Sequence, residues 1–256
     1  MFAKVKPNTQ IIGQNLVYFT RIDSTNKLAA ELFKNNLAEN GTVVVTDYQT
    51  DGKGQREKEW ESNPYENLIF SIGIKNITNF STNPFLLNKC ITIALCNYIK
   101  EFLPNTQVHI KWPNDIFVNN RKISGILVEN TFSGQQLAYS IIGIGINVNQ
   151  PFEHYQHINA TSLFEQKGYV QDRVEIFEDV LLEIDTNIIE LMNGNFDGIN
   201  EQFNSNLLGY HTSCSFLIND KEVLVSIIGC DIYGRLILEH NNKQEAYLHG
   251  TIKQII

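Results

Sequence analysis

No stretch of this sequence approaches the roughly 18–20 consecutive apolar residues needed to cross a bilayer. The opening Met1-Phe2-Ala3-Lys4-Val5-Lys6-Pro7 lacks the apolar centre of a secretory signal. Cysteine is scarce, with only Cys90, Cys96, Cys214 and Cys230, and none of the four forms a CxxC pair. That usage suits reduced thiols rather than a disulfide framework or a zinc ribbon. Positive charge is in deficit, with 20 Lys+Arg against 28 Asp+Glu and a net charge of -8. This is the wrong sign for a protein that grips phosphate backbones, so no nucleic-acid partner is expected. Internal repeats, low-complexity tracts, a Walker loop, a Rossmann turn and a Ser/His/Asp order are all missing. His154 and His157 have HxxH spacing but no third ligand candidate, and are read as surface histidines. The expectation is a soluble cytoplasmic globule without a membrane partner.

What the chain does have is 256 residues, 43% of them apolar and 15 of them Phe, enough for a sizeable core. Apolar periodicity predicts a strand at 16–19, a helix at 26–38 with Leu28, Leu32 and Phe33 inward, and strands at 42–46 and 68–74. A long buried helix is expected at 84–102, capped by Asn83 with Pro84 in its first turn. Strands follow at 108–112, 116–118, 123–129 and 137–148, with Asn119-Asn120 as a hairpin turn, then a helix at 171–192 ended by Gly194. Beyond Leu208 only short strands are expected, at 213–218, 222–228, 235–239 and 244–248. The fold class is therefore α+β: a mixed sheet with helices over 1–207, then a small β-barrel over 208–256.

Four stretches carry chemistry. Asp23-Ser24-Thr25-Asn26 opens a helix, where short oxygen-bearing side chains ordinarily cap N–H groups; three in a row exceed what one cap needs. Gln49-Thr50-Asp51-Gly52-Lys53-Gly54-Gln55-Arg56 ends shortly before Trp60. Its glycines permit a tight turn, and its cations suit an anion, although a plain connecting loop would look similar. Lys111-Trp112-Pro113-Asn114-Asp115 interrupts an apolar strand, with His109 and Lys111 on one face and Ile110 and Trp112 on the other. A lysine there either snorkels to water or meets something negative; Asn114 and Asp115 read equally well as turn formers. In 142–149, Gly143, Gly145 and Asn147 share one strand face while isoleucines fill the other. The bare face admits a packed helix or a flat ligand, and Asn147 has the donor and acceptor suited to an adenine edge.

In this order, Ser24-Thr25-Asn26, the QTxGKGxR loop with its Trp, KWPND, KISGILVE and GIGINVN resemble the biotin protein ligases, also called biotin–acetyl-CoA-carboxylase ligases. The likeness runs through Ala160-Thr161-Ser162-Leu163, and Gly229, Asp231, Gly234 and Leu236 look like the family's closing barrel. It implies a class II aminoacyl-tRNA synthetase-like catalytic domain and a small SH3-like C-terminal domain. It also implies two half-reactions. Biotin and ATP give biotinyl-5′-AMP and pyrophosphate, and a lysine of a biotin carboxyl carrier domain then takes the biotinyl group. By the same resemblance, Ser24, Thr25 and Gln49 meet the biotin head group, with Asn26 supporting and Gly125 beside it. Gly52 and Lys53 also contact biotin, and with Gly54 they form a loop closing over the adenylate. Lys111 neutralises the biotin carboxylate and the α-phosphate, Trp60 lies against the adenine, and Asn147 reads its edge; Gln55 and Asn114 adjoin the nucleotide. Magnesium is implied by the triphosphate, with no ligand pair identifiable.

Lys53 and Gln55 stand where many members carry arginine; since Gln55 supplies no charge, Arg56 is expected to serve as the catalytic cation of the loop. Only about twenty residues precede the Ser-Thr-Asn motif, so an added DNA-binding domain is not expected. Pairing of exposed sheet edges would give a homodimer. The competing readings are a lipoate or octanoate ligase or transferase of the same fold, and a biotin-binding sensor without catalysis.

Overall fold

A computed structural model describes residues 2–57, 59–75, 83–152 and 159–256. His154 and His157 fall outside them. The chain forms β1 (Leu16–Phe19), α1 (Thr25–Lys34), β2 (Val43–Thr46), β3 (Leu68–Ile74), α2 (Leu86–Phe102), β4 (Val108–Lys111), β5 (Asp115–Val118), β6 (Arg121–Ser133) and β7 (Gln136–Ile146). Three helices follow, α3 (Leu163–Lys167), α4 (Arg173–Met192) and α5 (Phe196–Ser205). The chain ends with β8 (Ser213–Ile218), β9 (Lys221–Cys230), β10 (Leu236–His240), β11 (Lys243–Tyr247) and β12 (Ile252–Gln254). The first seven strands make one mixed sheet in the order β1-β2-β3-β7-β6-β5-β4, in which only β1–β2 is parallel. The last five make an antiparallel sheet, β11-β10-β9-β8-β12. Mixed sheet, helices and small β sheet are the α+β arrangement expected, although no β11–β12 pairing closes a barrel among the described residues.

Period two assigns the faces of the large sheet. Leu68, Phe70 and Ile72 of β3 and Ile142, Ile144 and Ile146 of β7 point into the main core, which α2 and α4 cover. Of the alternate positions on the opposite face, Gly145 of β7 meets Trp60, while Ser71 and Gly73 of β3 and Gly143 of β7 face α1. There Ala29 and Phe33 pack with Val44 and Ile141 in a smaller cluster. Leu28 and Leu32 are only half-buried at its edge. Small residues on that face let α1 lie close: an added Cβ on Gly73 would meet the Phe33 ring at 2.0 Å.

Several boundaries depart from expectation for local reasons. The N-cap of α2 is Phe85, which makes no side-chain cap bond; Asn83 instead accepts the Leu86 N–H through its backbone carbonyl, at 3.2 Å. Helix α4 starts at Arg173, two residues later than expected, because Asp172 caps it by accepting from Val174 N and Glu175 N. Helices α3 and α5 were not anticipated. The first is five residues long, and the second buries only Ile199 and Phe203, too sparse a stripe to read. Asn119 and Asn120 do take left-handed backbone, φ 48° and 62°, in the β5–β6 hairpin.

The small sheet is fastened to the large part by polar anchors. Lys89 of α2 is fully buried, and its Nζ donates to Cys230 O and Asn200 Oδ1, both at 2.8 Å. Asn204 Oδ1 accepts from Cys230 N at 2.9 Å. Trp112 Nε1 donates to Gly234 O at 3.0 Å.

Candidate functional site

Between the α1 face of the large sheet and the small sheet lies a cavity of about 470 Å³. Its floor is glycine. Gly125 of β6 is the register partner of Gly145 of β7, which in turn pairs with Ile69 of β3. With no side chains there, the Trp60 indole lies on the sheet: an added Cβ would meet its ring at 2.4 Å from Gly145 and 3.0 Å from Gly125. The indole N–H is buried without a partner among the described residues.

One end of the cavity is a polar network. Ser24 is the N-cap of α1, but its Oγ stands 3.5 Å from Lys27 N, so capping is weak. Thr25 N donates to Gln49 Oε1 at 2.7 Å, and Thr25 Oγ1 lies 3.0 Å from the same oxygen. Ser71 Oγ sits 2.6 Å from Thr25 Oγ1 and 2.5 Å from Asn26 Oδ1, and Asn26 Nδ2 donates to Glu129 Oε2 at 2.6 Å. Asn26 reaches this position because Gly143 is bare; a Cβ there would stand 2.3 Å from Asn26 Oδ1.

The other end is cationic. In the loop from Gly52 to Trp60, Trp60 N donates to Gly52 O at 2.9 Å, and the backbones of Lys53 and Glu59 form an antiparallel β-bridge. The glycine requirement here differs from expectation. Gly52 does not take left-handed backbone; it is needed because a Cβ would lie 2.6 Å from Trp60 O. Among the described residues of the loop it is Arg56 that is left-handed, at φ 56° and ψ 51°. Its guanidinium reaches His249 O of the C-terminal segment. Lys111 Nζ lies 5.0 Å from the centre of the Phe117 ring. Lys122 Nζ pairs with Asp115 Oδ1 at 2.7 Å and lies 5.4 Å from the centre of the Trp60 ring. The C-terminal segment supplies His249, whose ring meets Trp112 edge-on at 5.4 Å, and Lys253.

Of the predicted residues, the fold gathers Ser24, Thr25, Asn26, Gln49, Lys53, Gly54, Gln55, Arg56, Trp60, Lys111, Asn114 and Gly125 around this one cavity. Two lie elsewhere. Gly52 lines a separate polar cavity of about 260 Å³ behind the loop. Asn147 is buried outside the lining, its amide donating to Thr161 O at 3.0 Å and Lys122 O at 3.4 Å. Strand β7 stops at Ile146, so strand alternation no longer holds at position 147. Asn114 lines the cavity but also ties β5 to β6, donating to Ile126 O and accepting from Ile126 N. Asp115 is no turn former; it begins β5 opposite Lys111. Among the described residues, no three His, Cys, Asp or Glu side chains cluster as a metal site. The carboxylates lining the cavity are Glu59 and Asp115, the latter held by Lys122. This donor set does not build a protein cage for magnesium.

The sequence pattern of the biotin/lipoate A/B protein ligase family matches residues 18–147, half of the chain and the stretch that supplies most of the cavity. The chain belongs to that family. The bifunctional ligase/repressor BirA of Bacillus subtilis is 34% identical over 236 residues, covering 91% of this chain and 72% of BirA. A biotin–[acetyl-CoA-carboxylase] ligase of Mycobacterium tuberculosis is 27% identical over 157 residues, covering 60% of this chain and 57% of that protein. The biotin protein ligase of Aquifex aeolicus in complex with biotin and ATP has the same fold. It superposes with a TM-score of 0.77 at 26% identity, over 94% of this chain and 99% of that one.

In this family member, sequence reasoning missed Lys122 and the wall built from residues 249–254. Lys122 was visible as the first residue of KISGILVE, but KWPND drew attention to Lys111 instead. The C-terminal residues carry no motif; only the docking of the small sheet brings them to the site.

Proposed function

We propose that this chain activates biotin with ATP and transfers it to a lysine of a biotin carboxyl carrier domain. In the first step the biotin carboxylate attacks the α-phosphorus, forming biotinyl-5′-AMP and releasing pyrophosphate. In the second, the carrier amine attacks the acyl carbon, AMP leaves with the bonding electrons, and an amide remains. The observation that carries the reading is the charge of the cavity. In a chain of net charge -8, one cavity is lined by Lys53, Arg56, Lys111, Lys122 and Lys253 against Glu59 and Asp115. Joining two anions needs that local excess, because their repulsion must be offset where they meet.

Roles follow from position. Thr25 and Gln49, with Ser24 and Asn26, hold the head group at the network end, and Gly125 and Gly145 let the Trp60 indole lie flat on the sheet beside it. Lys111 and Lys122 neutralise the carboxylate and α-phosphate. Lys53, Gly54, Gln55 and Arg56 cover the adenylate and keep water from it. Trp60 is placed to lie against the base. The free state of all four cysteines supports a reducing, cytoplasmic setting. We retain 1–207 as the catalytic unit and 208–256 as the small β unit.

The test is incubation with ATP, a purified carrier domain and labelled biotin or labelled lipoate. Biotin-dependent pyrophosphate release followed by carrier labelling is expected. Labelling by lipoate alone would favour the lipoate ligase, and biotin binding without pyrophosphate release would favour a sensor.

A further inference from the structure

Glu129 is exposed and lies outside the cavity lining, yet its carboxylate ends a hydrogen-bond chain that runs to the pocket through Asn26, Ser71, Thr25 and Gln49. The direction of that chain follows from what each group can donate. A carboxylate only accepts, so Asn26 must turn Nδ2 to Glu129 and Oδ1 to Ser71. An amide oxygen only accepts, so the single Ser71 proton goes to Asn26 Oδ1 at 2.5 Å. The shorter 2.6 Å contact to the Ser71 oxygen then takes the single Thr25 hydroxyl proton, in preference to Gln49 Oε1 at 3.0 Å. Thr25 N–H fixes the other side by donating to Gln49 Oε1 at 2.7 Å, which turns Nε2 away. The groups left unspent are a lone-pair acceptor on Thr25 and a donor on Gln49. Ser71 is fully buried and Asn26 is 7% exposed, so neither finds enough water to relax this order.

We infer that Glu129 is a positioning residue that sets the hydrogen-bond polarity of the head-group pocket. This polarity selects a ligand that offers an N–H and a carbonyl side by side, as a cyclic urea does. The inference rests on the biotin-ligase reading above. The alternative orientation of Asn26 would aim its oxygen at the Glu129 carboxylate, which the carboxylate opposes. A carboxamide at position 129 removes that opposition, because it can donate as well as accept.

The experiment measures equilibrium binding of biotin, of its guanidinium analogue 2-iminobiotin and of ATP. It compares the wild type, Glu129→Gln, Ser71→Ala and the double variant, with melting temperatures as the check on folding. The wild type should prefer biotin. Glu129→Gln should weaken biotin about tenfold, the size of one charge-assisted hydrogen bond, and narrow the biotin-to-iminobiotin preference while leaving ATP affinity in place. The double variant should be no weaker than Ser71→Ala, because both substitutions cut one chain. Equal biotin affinity and an equal preference ratio in Glu129→Gln and wild type would overturn this inference alone. Additive losses in the double variant would also overturn it. Failure of the wild type to bind biotin would overturn the functional reading, and this inference with it.

Discussion

Two lysines face the same cavity, and replacing each with Met separates their roles. Lys122 pairs with Asp115 at 2.7 Å, with side chains 30% and 28% exposed. An ion pair that open is worth about 0.2–1 kcal/mol to folding. For a chain of this size that lowers the melting temperature by roughly 1–4 °C. Against substrate anions the effect is larger. A unit charge at about 4 Å contributes about 1 kcal/mol in bulk water and about 4 kcal/mol at the effective dielectric of a protein surface. The upper part of that range matches the loss of one preorganised donor, about 2.7–4 kcal/mol, or roughly 10²–10³ in rate. Lys122→Met also leaves the Asp115 carboxylate facing the anions it once helped to bind, so its loss should exceed that of Lys111→Met. Lys111 sits against the Phe117 ring, and a Met there keeps the apolar contact. The assay is single-turnover formation of biotinyl-5′-AMP, read as pyrophosphate, with melting in parallel. Adding Asp115→Asn to Lys122→Met should recover part of the rate, because the stranded charge is removed. If Lys122→Met melts normally and forms adenylate within about threefold of wild type, where a drop of roughly 10² is expected, the charge-neutralising role is refuted. The same result for Lys111→Met would remove Lys111 from the chemistry.

Gly52→Val must push the Trp60 carbonyl aside, since even a Cβ would stand 2.6 Å from it. The loop should then seal poorly, and pyrophosphate release should exceed carrier labelling; tight coupling in the variant would show that the loop is no lid. Arg173→Met should cost about 3–5 kcal/mol in urea unfolding, because Asp47, bonded to Arg173 at 2.8 Å and 2% exposed, would stay buried without its cation. A loss under about 1 kcal/mol would mean that water or Tyr18 replaces the guanidinium. Burial pushes the Cys96 thiol up to about 11 and the Cys230 thiol up to about 12, and the Cys90 thiol is raised further, so thiolate is scarce in all three at pH 8. Half-buried Cys214 should therefore label first with an alkylating reagent; fast labelling of Cys230 would show that the small sheet opens readily.

Much of this protein was legible in one dimension because its determinants are local. Strands at 16–19, 68–74 and 213–218 have the bounds expected, since β-branched and aromatic runs bounded by turn residues state their own length. The Asn119-Asn120 turn and the glycine face of β7 were likewise readable, the first from left-handed propensity and the second from period two. Four separated motifs agreed on a family, and the fold brings most of their residues to one cavity. Pairing and docking decided the rest. That Gly125 lies beside Gly145 to form a floor depends on the β6–β7 register, which spans twenty residues of sequence. Asn147 left the expected face because the strand ended one residue earlier. Lys122 and Asp115 meet across β5 and β6, and Glu129 reaches Asn26 from over a hundred residues away. His249 and Lys253 enter the site only because Lys89, Asn204 and Trp112 hold the small sheet against the large one. Sequence periodicity specifies which face a side chain takes on its own element. Which other element that face meets is set by packing of the whole chain, and the chemistry of this cavity depends on those meetings.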